Sequence, residues 1–201
     1  MPLNRYITGG DVTLGAGTDV IGNVAIDQTT PGTTNLVQVG AGEAHVGEIG
    51  GNSAVITPTI TVSAASAYTA GDSIGGKITL TSALRVSGGT AVLQSIMISG
   101  RANQKPAGTI LLFDADPTAA TLTDNAAVVL STNDFNVLAS IPVSAADYVT
   151  INSKCYANLS GLGRTLKATT GTSLYAAFVV TSTPTFAATS DFQMRFGLLR
   201  D

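Results

Sequence analysis

The feature that most constrains this 201-residue chain is the alternation of apolar and polar residues that recurs from Val55 onward. The segments that show it most clearly are residues 77–81, 92–98 and 192–199. Successive side chains of a β-strand point to opposite faces, so a period of two predicts strands that are buried on one face. In the second of these segments the alternation predicts that Leu93 lies on the face opposite to Ile96 and Ile98.

Other segments refine this pattern. Residues 109–113 and 174–180 are apolar almost without interruption, which is typical of strands covered on both faces. Residues 148–151 begin a further strand. Pro58 interrupts the alternation of residues 55–62, and because proline has no N–H to donate to a sheet, this strand is expected at an edge or at a break.

Helical segments are scarce in this sequence. Asn125–Leu130 and Ser144–Asp147 are the two that could be helical, for one or two turns each. Seven or eight short strands separated by Gly, Pro, Asn and Asp predict an all-β fold, an antiparallel β-sandwich or jelly roll. A parallel α/β sheet is disfavoured because it needs long helices between its strands.

The composition changes near residue 55 and divides the chain in two. Half of the 22 glycines lie in residues 1–51, together with five acidic residues and a single base, Arg5. Apolar residues in this part come in short pairs, and Pro31-Gly32 predicts a turn. We therefore interpret residues 1–54 as an extended N-terminal arm with short strands, and residues 55–201 as the sandwich domain.

Charge and composition exclude several classes of protein. Charged residues make up 11% of the chain, against roughly 25% in an average soluble domain. A net charge of −3 provides no basic surface for nucleic acid. No window approaches the ~20 consecutive apolar residues of a membrane helix. We expect neither nucleic acid nor a membrane as a partner, and a surface poor in charge favours contact with other proteins.

Three carboxylates come nearest to a metal site. They are Asp114, Asp116 and Asp124, and calcium accepts such oxygen ligands on loops. The alternative is that Asp114 and Asp116 flank a turn after the strand at residues 109–113. The full set of oxygen ligands that calcium needs is not visible, so we predict no metal site and keep these three residues as the only candidates.

Residues 71–77 match the glycine and lysine spacing of a phosphate-binding loop. Ile78 stands where that motif needs Ser or Thr, and a strand pattern follows Lys77 where a helix is required. The segment is better interpreted as a glycine turn entering a strand. No nucleotide or other cofactor is expected.

The remaining reactive residues do not form a recognisable active site. The only histidine, His45, lies between Glu43 and Glu48, and no nucleophile stands in a recognisable setting beside it. The only cysteine, Cys155, lies in a probable strand, where a buried thiol is the usual finding. We predict no catalytic residues and no enzymatic activity.

Several stretches resemble virion proteins of tailed bacteriophages, in particular small capsid decoration (cement) proteins. These stretches are Val20–Asn35, Leu112–Pro117, Leu122–Ala127 and Phe196–Asp201. The resemblance implies a jelly roll, a homotrimer at local three-fold axes of the head, and the major capsid protein as partner. It also implies a non-enzymatic role on the outer surface of the virion, after synthesis in the cytoplasm of the bacterial host. No catalytic residues are carried over from such proteins.

The arm fits this role physically, because an extended Gly/Thr segment can pair with the exposed strand edge of a partner. Its candidate capsid-docking residues are Arg5, Tyr6, Val20, Ile21, Val24, Ile26, Leu36 and Val37. Two alternatives stay open: a receptor-binding tip or fibre protein of the phage tail, and a carbohydrate-active enzyme. Glycan-binding tail tips usually expose aromatic residues, and this chain has no tryptophan and five tyrosines, which favours the decoration protein.

Overall fold

The computed structural model describes residues 52–131 and 136–200. The chain divides into two units, residues 1–48 and 49–201, and every described residue belongs to the second. His45 and the candidate docking residues Arg5, Tyr6, Val20, Ile21, Val24, Ile26, Leu36 and Val37 lie outside the described residues.

The described residues form nine strands and one 3₁₀ turn, with no α-helix. The strands are β1 (Asn52–Ile56), β2 (Ser73–Leu80), β3 (Thr90–Gly100), β4 (Gly108–Phe113), β5 (Val137–Val143), β6 (Tyr148–Ile151), β7 (Lys154–Lys167), β8 (Leu174–Val180) and β9 (Phe192–Arg200). The 3₁₀ turn, η1, spans Ala145–Asp147 between β5 and β6. The prediction of an all-β fold is confirmed.

The strands form two antiparallel sheets, neither of which closes into a barrel. The five-stranded sheet has the order β1-β9-β3-β7-β6, and the four-stranded sheet has the order β2-β8-β4-β5. The pairing is nested: β1 pairs with β9, β2 with β8, β3 with β7, and β4 with β5. The first and last strands of residues 52–200 therefore pair with each other, and β4 and β5, near the middle of the sequence, form a simple antiparallel pair.

One hydrophobic core joins the inner faces of the two sheets. The five-stranded sheet contributes Phe196 and Met194 of β9, both fully buried, and the four-stranded sheet contributes Phe178 of β8 and Ile110 of β4. Phe178 and Phe192 face each other with ring centroids 5.8 Å apart. The predicted alternation of residues 192–199 is confirmed, because Phe192, Met194, Phe196 and Leu198 are all buried.

The end of the first strand and its place in the sheet agree with the expectation for Pro58. β1 ends at Ile56 and lies at the edge of its sheet, as the proline predicted. Its first residue, Asn52, which the sequence interpretation placed in the arm, pairs with Arg200 of β9. The Arg200 guanidinium also donates to Asn52 Oδ1 at 2.6 Å. The sheet thus begins three residues earlier than the predicted boundary at residues 54/55.

The predicted face of Leu93 in β3 was wrong, because the strand contains a bulge. Leu93 pairs with Leu198 of β9 and Ser95 pairs with the next residue, Gly197, so Gln94 is an extra residue relative to β9. A bulge shifts the alternation by one position. Leu93 therefore joins Ile96 and Ile98 in the core instead of facing away from them.

The two predicted helical segments have different outcomes. The turn at residues 144–147 is confirmed as η1: the Ser144 hydroxyl accepts from the N–H of Ala146, and the Asp147 carboxylate accepts from the N–H of Ser144. The prediction for residues 125–130 was wrong. The N–H of Asn125 donates to Ser73 O, and that of Val128 donates to Gly71 O, so this segment runs along the outer edge of β2 and covers it.

Two strands were not anticipated in full. β5 was not predicted, and neither was the full length of β7, which extends to Lys167 through Gly161 and Gly163. Gly161 and Gly163 adopt positive φ angles of 68° and 57° and form an irregular step within the strand. Glycine adopts such angles without steric cost, so the glycines here bend a strand without ending it.

Candidate interaction surfaces

The three candidate carboxylates have separate structural roles. Asp124 accepts three hydrogen bonds: Oδ1 accepts from the Tyr68 hydroxyl at 2.7 Å and the Gly75 N–H at 2.6 Å, and Oδ2 accepts from the Ser63 hydroxyl at 2.6 Å. Asp124 therefore ties together the segment after β1, the start of β2, and the loop after β4. Charge-assisted hydrogen bonds of this kind are the stronger ones in proteins.

Tyr68 is the buried centre of this cluster. Its hydroxyl also accepts from the N–H of Ser63 at 3.0 Å, and its ring meets Phe186 edge to face at 5.6 Å. Burial, and then the hydrogen bond to the Asp124 carboxylate, raise the pKa of Tyr68. The phenol therefore stays protonated and keeps donating to Asp124.

Asp116 and Asp114 have other partners. Asp116 forms an ion pair with Lys77 at 2.7 Å, and Lys77 also lies 5.8 Å from the centre of the Tyr175 ring. Asp114 Oδ2 accepts from the Thr169 hydroxyl at 2.8 Å. Within residues 52–131 and 136–200, no three His, Cys, Asp or Glu side chains come together in a way that could hold a metal ion.

The segment that matched the phosphate-loop spacing lies in β2. Gly75 and Gly76 have φ angles of 72° and 63° and form an irregularity in the pairing of β2 with β8. A Cβ at Gly76 would lie 2.8 Å from the carbonyl oxygen of Leu122, so the covering loop packs directly against this glycine. The glycines thus allow close approach of backbone to backbone within the fold.

Cys155 is buried in β7, as predicted, and its Sγ lies 3.2 Å from the carbonyl oxygen of Ala102. The neighbouring Tyr148 donates to the carbonyl oxygen of Pro106 at 2.9 Å. Burial, with a smaller contribution from Cys155, raises the pKa of Tyr148. Both groups belong to the packing at this end of the five-stranded sheet.

A groove of about 510 Å³ lies on the five-stranded sheet where β1 ends, and we call it the basic groove. Its three exposed cationic side chains come from different parts of the chain: Arg101 after β3, Lys154 at the start of β7, and Arg195 in β9. Half-buried Tyr156 forms part of its wall. The three cations are 41 or more positions apart in the sequence, so no sequence motif indicates the groove.

One acidic residue lines the basic groove, and its carboxylate is already engaged. Asp191 is buried, and its Oδ2 accepts from the N–H groups of Ala187 and Ala188 at 3.1 and 2.9 Å. Arg101 is held at the rim by a hydrogen bond of 3.2 Å to the Ser190 hydroxyl. The groove therefore offers three cations, and one buried carboxylate partly offsets their charge.

The same imbalance extends over the whole five-stranded sheet. None of its five strands contains Asp or Glu, and together they carry five bases: Lys154, Arg164, Lys167, Arg195 and Arg200. The described residues contain nine bases and six acids, whereas residues 1–51 contain one base and five acids. The negative charge of the chain is thus concentrated in its N-terminal quarter.

Exposed apolar side chains occur at both edges of this sheet. Val149 and Ile151 of the edge strand β6 are 62% and 60% exposed. At the opposite edge, Val55 and Leu199 are 68% and 43% exposed and border a shallow depression of about 200 Å³ above Gly197. Apolar residues grouped in this way are typical of surfaces that contact another protein.

The four-stranded sheet also presents an apolar depression. It measures about 470 Å³ and is bordered by Leu111 of β4, Val179 of β8, and Leu130 of the loop that covers β2. Leu130 and its neighbour Val129 are 41% and 59% exposed. This second surface adds to the apolar area that a partner could cover.

No protein-family model and no curated protein matches this chain. The described residues contain no helix with the length and apolar character needed to span a membrane.

Proposed function

We propose that this protein is a capsid decoration (cement) protein of a tailed bacteriophage, built on a jelly roll. In this role it binds the outer surface of the assembled head and stabilises it by bridging neighbouring capsomers. The observation that carries the proposal is the nested pairing of the strands in two sheets.

The nested pairing supports the jelly roll in particular. A jelly roll consists of eight strands in two sheets, arranged as two Greek keys, and it is common in viral capsid and lectin domains. Here the orders β1-β9-β3-β7 and β2-β8-β4-β5 account for eight strands, with β6 added at one edge. This arrangement agrees with the resemblance to decoration proteins noted in the sequence.

The surface supports a partner that is protein. Val149, Ile151 and Val55 are each at least 60% exposed, and only 11% of the chain is charged. Burying an unpaired charge costs several kcal/mol, by a rough general estimate. A surface rich in small uncharged side chains avoids much of this cost when it is covered by the shell.

Binding of the assembled shell explains how such a protein strengthens a head. A ligand that binds one state of a system and not the other stabilises the bound state by mass action. A protein that contacts two adjacent capsomers binds the assembled shell better than the free subunits. We propose that the N-terminal arm makes the contact with the major capsid protein and that the sandwich forms a homotrimer above it.

Location on the virion tests the proposal directly. Virions are labelled with an antibody against the sandwich and imaged by negative-stain electron microscopy. Label distributed over the head supports the decoration protein, whereas label confined to the tail tip overturns it in favour of a receptor-binding or fibre protein. In a second test, purified protein is added to heads that lack it, and the temperature at which the heads release DNA is measured; an unchanged temperature contradicts the role in stabilisation.

A further inference from the structure

The basic groove carries an excess of positive charge that the decoration role leaves unexplained. Arg101, Lys154 and Arg195 reach it from three separate segments, and all three side chains are exposed. The Asp191 carboxylate is buried and accepts hydrogen bonds from backbone N–H groups, so it offsets part of this positive charge and leaves the three cations in excess. The ligand that fits such a groove carries negative charge, such as the carboxylates of Asp and Glu.

We infer that the basic groove binds the acidic N-terminal segment, residues 1–51, of a second copy of this chain. Five of the thirteen acidic residues of the protein lie in that segment, among them both of its glutamates, Glu43 and Glu48, and it has a single base. The groove itself is lined by three bases and one buried acid. Opposite charges of this kind favour association and orient the partners.

The direction of β1 favours the N-terminal segment of a second copy over that of the same copy as the occupant of the groove. The segment enters the sheet at Asn52, whereas the groove lies beyond Ile56, at the other end of β1. A five-residue strand spans about 17 Å at roughly 3.3 Å per residue. To occupy the groove of its own copy, a chain that enters β1 at Asn52 would have to turn back along the strand, whereas the groove of a second copy requires no such turn.

The shape of the groove also suits an extended peptide. Its floor includes strand residues of β7 and β9, and its rim includes Thr57 and Thr59, which follow β1 without belonging to a strand. A peptide with small residues can lie along this rim with its carboxylates toward Lys154 and Arg195. The groove would then connect copies in an oligomer through acidic residues of the arm, and the remaining residues of the arm would stay available for the capsid protein. The inference rests on the oligomer of the proposed function but not on its place on the virion.

Zero-length cross-linking of the full-length protein tests the inference without phage heads. Protein grown in ¹⁴N medium is mixed with an equal amount grown in ¹⁵N medium, equilibrated, and treated with a carbodiimide that joins lysines to adjacent carboxylates. Peptide mass spectrometry then identifies each link and its isotopes. We expect Lys154 to be joined to Asp or Glu residues of 1–51, with mixed-isotope links as frequent as same-isotope links.

The chain provides its own controls for this experiment. Lys77 and Asp116, 2.7 Å apart within one copy, should give same-isotope links only. Arg101→Gln with Arg195→Gln should reduce the yield of the Lys154 links severalfold. Arg164→Gln removes a cation from the same sheet outside the groove and should leave that yield unchanged, and equal melting temperatures would show that all variants are folded.

Three results overturn the inference. Same-isotope links alone at Lys154 would mean that the groove holds its own segment. Lys154 links only to acidic residues outside 1–51, or no link at Lys154 while Lys77 reacts, would mean that the segment binds elsewhere. Any of these results would leave the evidence from antibody labelling of the head unchanged. Label at the tail tip would overturn the decoration role, but it would not affect the interpretation of the cross-links.

Discussion

The hydroxyl of Tyr68 donates a 2.7 Å hydrogen bond to Asp124 across 56 residues of sequence. This contact, with those from Ser63 and Gly75, fastens the loop after β4 onto the edge of β2. An unpaired sheet edge can pair with other chains and aggregate. The contact between Tyr68 and Asp124 therefore keeps the edge of the four-stranded sheet covered.

Replacement of Asp124 should destabilise the fold. Asp124→Ala removes the acceptor of three short hydrogen bonds and leaves the buried Tyr68 hydroxyl without its acceptor. We expect the free energy of unfolding, measured by urea denaturation, to fall by about 2–4 kcal/mol. Asp116→Ala is the matched control, because its ion pair with Lys77 is exposed and is worth about 0–1 kcal/mol. Equal losses for the two variants would contradict the role of Asp124.

A second prediction concerns the close approach between the backbones of Gly76 and Leu122. An alanine there must adopt a φ near 63° and place its Cβ 2.8 Å from Leu122 O. Gly171→Ala is the control, because Gly171 has a similar φ of 71° but no atom within 4 Å of the added Cβ. Denaturant titration should give a loss of about 1 kcal/mol for Gly171→Ala and about 2–4 kcal/mol for Gly76→Ala. Equal losses would show that the loop adjusts freely.

A third prediction concerns alkaline pH. The pKa values of Tyr68 and Tyr148 are raised in the folded protein, so above pH 10 the unfolded chain loses these protons while the folded chain keeps them. Stability is therefore fully present below the unfolded pKa and falls as the pH rises above about 10, by about 1.4 kcal/mol per pH unit for each tyrosine.

Urea denaturation at pH 8, 10 and 11 measures this slope. The double variant Tyr68→Phe with Tyr148→Phe cannot lose either proton, and it should show a much flatter decline than the wild type over this range. The comparison uses slopes because Tyr68→Phe also removes a hydrogen bond to Asp124. If the free energy of unfolding of the double variant fell with pH as steeply as that of the wild type, other groups would be responsible for the alkaline sensitivity.

A fourth prediction concerns metal ions. Asp116 is paired with Lys77 and Asp124 accepts three hydrogen bonds, so neither is arranged to share a cation with Asp114. Addition of EDTA should leave the melting temperature, measured by circular dichroism, unchanged. If EDTA lowered the melting temperature by several degrees and calcium restored it, the three carboxylates would again be candidate calcium ligands, because a ligand of the folded state raises its stability.

The fifth prediction concerns the N-terminal segment. Asn52 pairs with Arg200, so a truncation that preserves the sheet removes residues 1–51 and no more. We expect the truncated protein to melt cooperatively, because residues 52–200 contain a continuous hydrophobic core between two sheets, and to lose binding to phage heads that lack it. Aggregation of the truncated protein would place the segment in the core, and undiminished binding would assign docking to the sandwich.

Strand alternation predicted a large part of this fold. The inward residues of β9, the break before Pro58, and the buried Cys155 follow from local sequence. The bulges could not be predicted in the same way. Gln94 is extra only relative to the neighbouring strand β9, so the register depends on a partner that is distant in sequence.

The surfaces were harder to predict than the strands. Arg101, Lys154 and Arg195 meet in the basic groove because β3, β7 and β9 are neighbours in the sheet, and no spacing in the sequence indicates this. The segment at residues 125–130 looked helical because its composition allows a turn, yet tertiary hydrogen bonds to β2 determine its course. Local preferences fail where contacts distant in sequence decide the structure.

The nested pairing has a consequence for how the chain reaches its folded state. β1 and β9 are held together by residues 148 positions apart, whereas β4 and β5 are close in sequence and can associate early. Loops that long close slowly, and folds dominated by such distant pairs take milliseconds to seconds. Because β9 lies between β1 and β3, any intermediate that lacks it presents two open strand edges at once. The protein is thus most exposed to misassembly late in folding, before its final strand is inserted.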